Sequence, residues 1–208
     1  MKWLMGLCVA VWCQHFGALP VASANPGSAS SFVTEQGRTL PPVGYVRFCA
    51  ENPSECKADT LLWSRTKLAP ENWSDLYRIN RLVNGKVKPV SDEELYGKAE
   101  YWTYPTNFGD CEDYLLLKKR YLEELGFPSS ALLITVVLDE RDEGHAVLTV
   151  ASTTGDYVLD NRRDDILLWN ETHYTFLKRQ SQRDPKTWMA LVKQPTVSSG
   201  AVGTNSGN

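Results

Sequence analysis

Apolar positions along this chain follow first a helical and then a strand period. Trp73, Leu76, Ile79 and Val83, with Asn80 among them, recur at helical spacing. Ser74 and Asp75 stand near the start of that stretch, and Asn84-Gly85 reads as its stop. Residues 86–96 form a connection containing Pro89, with a helical turn predicted to begin at Ser91. The strongest helical pattern runs from Asp110 to Leu125. It carries Tyr114, Leu117, Tyr121 and Leu125 on one face, with Lys118, Lys119 and Arg120 largely elsewhere. Gly126 ends it, and Pro128 prevents its resumption.

Beyond residue 130 the pattern becomes β-branched and strand-like. Ala131 to Leu138 is followed by a charged turn, Asp139 to Gly144. His145 to Ser152 and Tyr157 to Asp160 are two further strands, joined by the hairpin turn Thr153-Thr154-Gly155-Asp156. Another strand is expected near Tyr174 to Arg179. Helices first and a short antiparallel sheet afterwards predict an α+β domain.

Composition changes this picture little. The 208 residues fit one domain, with 42% hydrophobic and 23% charged residues and a net charge of −3. No basic stretch with interleaved aromatics points to nucleic acid. The N-terminus changes it more. Lys2, the apolar run Trp3 to Trp12 and Ala22-Ser23-Ala24 make a signal peptide over residues 1–24, too short in its apolar part to span a bilayer. The competing reading is a membrane anchor. Export to the periplasm or medium, without stable membrane insertion, is therefore expected. Residues 25–40 read as a flexible leader, 41–194 as the folded domain, and 195–208 as a disordered tail poor in packing residues.

Export removes Cys8 and Cys13 and leaves Cys49, Cys56 and Cys111. Cys49 and Cys56 bracket a six-residue loop containing Pro53, so a disulfide between them is expected; two separately buried thiols are the alternative. Cys111 is then left over, at the start of the strongest helix. Unpaired N–H groups and the helix dipole there favour the thiolate, and Gly109 allows a sharp approach. Against this, free cysteine is commonly a buried apolar residue, and Asp110 and Glu112 raise a neighbouring thiol's pKa. His145 opens one strand and Asp160 closes the next, so a hairpin brings a base and its orienting carboxylate together. His173 is the competing base, within a connection.

Gly109-Asp110-Cys111-Glu112-Asp113-Tyr114, Gly144-His145-Ala146-Val147-Leu148 and Leu159-Asp160-Asn161 resemble the three signature blocks of the bacterial transglutaminase-like cysteine peptidases. Ile79 to Asn84, Tyr96-Gly97 and Tyr101-Trp102 also fit that family's pattern, so the resemblance covers about Trp73 to Leu191. It implies a papain-like, transglutaminase-type core. The helix bearing Cys111 would pack on a sheet bearing His145 and Asp160, the three forming a catalytic triad. The family includes periplasmic proteases that cleave large adhesins and require calcium. For this chain that implies a Ca²⁺ site at Asp110 and Glu112, a protein substrate of surface or adhesin-like type, and an inhibitory or regulatory protein partner. First-turn acids favoured by the helix dipole are the alternative reading of these carboxylates. Only Pro105-Thr106-Asn107-Phe108 lies between Tyr104 and Gly109, and Glu100 stands where Asp is common, so substrate identity does not transfer.

Three functions are compatible with these residues. The first is peptide hydrolysis through a Cys111 thioester, with the Cys111 N–H as one oxyanion donor and Asn107 or Tyr101 as candidates for the other. The others are amine crosslinking through the same acyl-enzyme, and a non-catalytic binding module of the same fold.

Overall fold

The computed structural model describes residues 30–58 and 65–192. The expected signal peptide and the tail 195–208 lie outside the described residues. Among the described residues four helices, α1 (Val43–Glu51), α2 (Pro70–Lys86), α3 (Asp92–Tyr96) and α4 (Cys111–Glu124), precede most of the strands. A two-stranded parallel ribbon, β2 (Lys88–Pro89) with β3 (Phe108–Gly109), leads directly into α4. The main sheet has seven strands in the order β1-β9-β8-β4-β5-β6-β7. They are β1 (Glu35–Thr39), β4 (Leu132–Leu138), β5 (Gly144–Ala151), β6 (Asp156–Asp160), β7 (Arg163–Leu168), β8 (Thr175–Gln180) and β9 (Trp188–Leu191). Each neighbouring pair is antiparallel.

The α+β class is as expected, but the sheet is larger than the pattern suggested. The additional strands β1, β7 and β9 lie at or beside its edges and bury few side chains, which leaves little apolar pattern to mark them. The flexible leader expected over residues 25–40 is corrected at its end. Glu35–Thr39 pair with β9, and Val33 is already buried against the core, so the folded unit begins before residue 41.

Helix α2 starts earlier and ends later than predicted. Pro70 occupies its first turn, where its missing N–H costs nothing, and the Asn72 side chain accepts the Ala69 N–H at 3.0 Å. Asn84-Gly85 does not stop it; the helix runs on to Lys86, and a helical glycine costs only about 1 kcal/mol against alanine. Its inner stripe, Leu76, Ile79, Asn80 and Val83, is the predicted one.

Helix α4 departs further from its pattern. It is buried from Glu112 to Lys119 on nearly every side, because it lies between α2 and strands β5 and β6. Lys118 and Lys119, expected outside, are 1% and 7% exposed, whereas Leu125 is 44% exposed. Lys119 offsets its burial with Leu132 O at 2.8 Å, Ser129 Oγ at 2.9 Å and Glu123 at 2.9 Å. Gly126, at φ 93°, follows the helix end as predicted. Cys49 at the end of α1 is joined to Cys56 in a disulfide, and among the described residues Cys111 is the free cysteine.

Candidate active site

Cys111 is the first residue of α4, and Asp110 before it is extended at φ −108°, so the cysteine stands where the helix N–H groups are open. The helix packs on β5, and the backbone N–H of Ala146 stands near enough to the Cys111 sulfur to favour its thiolate. His145, next to Ala146 on that strand, is thereby brought to the same end of the helix. The thiol donates to Glu112 Oε2 at 3.1 Å. Burial pushes the Cys111 thiol up, the Glu112 and Asp110 carboxyls push it further, and the Ala146 N–H pulls the other way.

His145 is buried, and its Nε2 lies 2.9 Å from Asp160 Oδ1. Because Nε2 is engaged by the carboxylate, Nδ1 is the ring nitrogen suited to exchange a proton with a thiol. Asp160 is fixed in turn: Tyr174 donates its hydroxyl to Oδ2 at 2.6 Å, and the Arg162 N–H reaches Oδ1 at 3.1 Å. Burial pushes the Asp160 carboxyl up, but the hydrogen bond and charge of His145, with Tyr174 and the Arg162 N–H, outweigh it and hold it at about 2. An ionised Asp160 can hold one tautomer of His145. The competing histidine, His173, is exposed and sits at φ 60°.

Beside Cys111 lies a second group of acids. One oxygen each from Asp92, Asp110 and Asp113 lie within 4.8 Å of one another. Their other oxygens are committed: Asp92 Oδ2 accepts the Tyr101 N–H, Asp110 Oδ2 the Asp92 N–H at 3.4 Å, and Asp113 Oδ1 the Thr103 N–H at 2.9 Å. Asp92 Oδ1, Asp110 Oδ1 and Asp113 Oδ2 are buried with no protein donor. Burial pushes the Asp113 carboxyl up to about 8 against the pull of the Thr103 N–H, with the Asp110 and Asp92 charges adding to the rise. Asp110 is raised first by burial as well. Three unpartnered carboxyl oxygens in so small a space fit a hard divalent cation, which takes oxygen ligands at roughly 2.3–2.6 Å. Of the two acids expected to hold an ion, Asp110 lies in this cluster. Glu112 turns to the sulfur instead, pushed up to about 9 by burial and by Asp110.

Gly109 serves this cluster. A Cβ there would lie 2.6 Å from Asp113 Oδ2, so the glycine is what lets that carboxylate fold back over β3.

The sequence matches the family model of the bacterial transglutaminase-like cysteine proteinases over residues 35–196. The chain belongs to that family. It is accordingly a cysteine peptidase, and as a proteinase it acts on protein. Among solved structures this transglutaminase-like peptidase is similar to LapG of Legionella pneumophila. The calcium-bound form aligns with a TM-score of 0.51 at 24% identity, covering 64% of this chain and 77% of that one. An EGTA-treated form aligns at 0.50 and 23%, covering 66% and 76%. No curated protein is close enough in sequence to match.

Sequence reasoning missed three parts of this site. Asp113 was legible as a partner of Asp110, since the two are three residues apart at the start of one helix. Asp92, eighteen residues upstream, was not, and Tyr174 carried no signal beyond opening a strand. Asn107 is exposed and the Tyr101 N–H is given to Asp92, so neither expected second oxyanion donor is placed at the sulfur by a contact. No helix among the described residues is long and apolar enough to cross a membrane.

Proposed function

We propose that this peptidase hydrolyses peptide bonds through a Cys111 thioester, with His145 as base and Asp160 as its orienting carboxylate, in a calcium-dependent manner in the periplasm. The observation that carries the reading is the His145 Nε2–Asp160 Oδ1 bond of 2.9 Å, on the strand β5 that packs against the helix bearing Cys111. In the acylation step His145 Nδ1 takes the thiol proton as sulfur bonds to the scissile carbonyl carbon. The C–N bond then breaks, and the imidazolium returns that proton to the leaving amine. Water attacks the thioester and gives a proton to His145, the carboxylic acid product departs, and the sulfur is reprotonated. The Cys111 N–H, open at the helix start, is suited to the developing oxyanion.

Asp92, Asp110 and Asp113 would hold calcium, on the strength of their three unpartnered oxygens. A cation bound there supplies positive charge that offsets the Asp110 carboxylate, one of the groups opposing thiolate formation. The exported location rests on the signal-peptide pattern of residues 1–24, and an adhesin-like surface protein is the substrate class favoured by the resemblance.

The test is the pH dependence of Cys111 alkylation by iodoacetamide in wild type and His145→Ala, each with calcium and with chelator. An apparent pKa below about 8.5 in calcium, rising in the mutant and on chelation, is expected. Slow alkylation indifferent to His145 would overturn the reading. Incubation of the active protein with a glutamine donor and a labelled primary amine separates hydrolysis from crosslinking, and hydrolysis is the expected product.

A further inference from the structure

We infer that Asn80 and Asn84 of α2 are positioning residues for the proposed reaction, holding the β6–β7 turn so that Asp160 meets the His145 ring. The inference rests on the triad reading. It starts from an irregularity in the sheet: Tyr157 and Val158 pair with Leu168 and Leu167, but the register shifts before Asp160 pairs with Arg163. Such a break leaves backbone groups without ladder partners, and here the carbonyls of Asp160, Arg163 and Asp164 turn to α2. Asn80 Nδ2 donates to Arg163 O and Asp164 O, both at 3.1 Å. Asn84 Nδ2 donates to Asp160 O, Arg163 O and Asp164 Oδ1, again each at 3.1 Å.

The two asparagines are one helical turn apart and present both amides to the same short turn. Every atom they meet is an acceptor, so the orientation of each amide is dictated by chemistry. Their own Oδ1 atoms are buried without a protein partner. An apolar residue at either position would avoid that loss, but it would also remove the donors. What the donors do is fix the backbone of Asp160 from one side, while Tyr174 and the Arg162 N–H fix its carboxylate from the other. A shift of the turn would lengthen the 2.9 Å bond to His145 Nε2. Neither asparagine is on the element that bears the nucleophile or the base, which makes them positioning and not catalytic residues.

The variants are Asn84→Asp and Asn80→Asp, which keep the shape and remove the donors, with Asn84→Ser and Asn80→Ser as uncharged alternatives should the charged forms fail to fold. The first readout is the ¹⁵N resonances of the histidine rings in the full chain, with exposed His173 as internal reference. Wild-type His145 is expected to keep its Nε2 proton on Asp160 in a single ring form; the Asn84 variants are expected to mix tautomers. The second readout is the Cys111 alkylation rate at neutral pH per folded molecule in calcium, expected to fall on the order of 10- to 100-fold, the scale of a small misplacement at an active site. A merely structural role would lower the melting temperature and leave both readouts unchanged, which would overturn the inference. If wild-type Cys111 proves unactivated, the proposed function fails, and the His145 tautomer still decides whether the asparagines position Asp160.

Discussion

Two groups of buried carboxylates in this molecule are built on opposite principles. Asp156, fully buried at the start of β6, accepts from Arg65, from Arg179 at 3.2 Å and from the Val33 N–H at 2.7 Å; Arg179 also meets Glu35 at 2.9 Å. Two acids face two arginines, and the group ties the chain before β1 to β6 and β8. Asp92, Asp110 and Asp113 face no cation: none forms an ion pair with lysine or arginine among the described residues, and each keeps a bare oxygen. A balanced cluster is complete within the protein. An unbalanced one is complete only with protons or with a metal ion, and this one adjoins the nucleophile.

Four changes test that contrast, in decreasing order of expected effect. Asp156→Ala leaves buried Arg179 with Glu35 alone and strips Arg65 and the Val33 N–H of their acceptor, and should destabilise the fold by about 3–5 kcal/mol in denaturant titrations, equally with and without calcium. A calcium-dependent loss would mean that the two clusters are not independent.

Lys118 is the mirror case, a buried cation with no hydrogen bond or ion pair among the described residues. Burial pushes it down to about 7, with the Asp160 and Asp164 charges only partly opposing. A lysine whose folded pKa lies below its unfolded value weakens the fold most at and below pH 7. That penalty shrinks as pH rises toward the ordinary lysine value near 10.4. Lys118→Met should therefore stabilise the protein by roughly 2–4 kcal/mol at pH 6–7, less the imperfect fit of the new side chain, and the gain should fade by about pH 10. A gain independent of pH would mean that the ammonium is not what burial penalises.

Calcium itself should stabilise wild type by about 2.7 kcal/mol at a hundredfold excess over its dissociation constant. Asp113→Asn should abolish most of that shift in thermal unfolding while leaving the chelated protein no less stable, because one of three crowded carboxyls is gone. An undiminished shift in the variant would place the ion elsewhere. The smallest effect is expected for Gly109→Ala, whose methyl group must displace the Asp113 carboxylate. Calcium affinity should drop roughly tenfold, about 1.4 kcal/mol, when titrated calorimetrically. Unchanged affinity would mean that Asp113 does not need its present position.

The contrast also shows what local patterning can and cannot reveal. Cys111 at a helix start, His145 opening a strand and Asp160 closing the next were legible because helix periodicity and turn chemistry are local signals. The face of α4 was misread for the same reason. Its pattern puts Lys118 and Lys119 outside, but the helix is enclosed by both α2 and the sheet, and a helix covered on several sides no longer has an outer face at those positions. Asp92 was hidden because its partners lie eighteen and twenty-one residues downstream, and a carboxylate in a connection carries no mark of what it will face. The roles of Asn80 and Asn84 were hidden too. As helix residues they read as a polar interruption and a stop, and only the slipped register of β6 on β7 gives their amides carbonyls to hold.

By itself, then, the sequence determined the α+β class, the helix that begins at Cys111 and the hairpin order of His145 and Asp160, because dihedral preference and apolar period act over a few residues. The tertiary structure decided that β1 joins the sheet, that Asp92 and Asp113 gather around Asp110, and that two asparagines of α2 grip the turn at Asp160. Those outcomes depend on which unpaired donors and acceptors meet when distant segments pack, and burial makes each such meeting count for far more than it would in water.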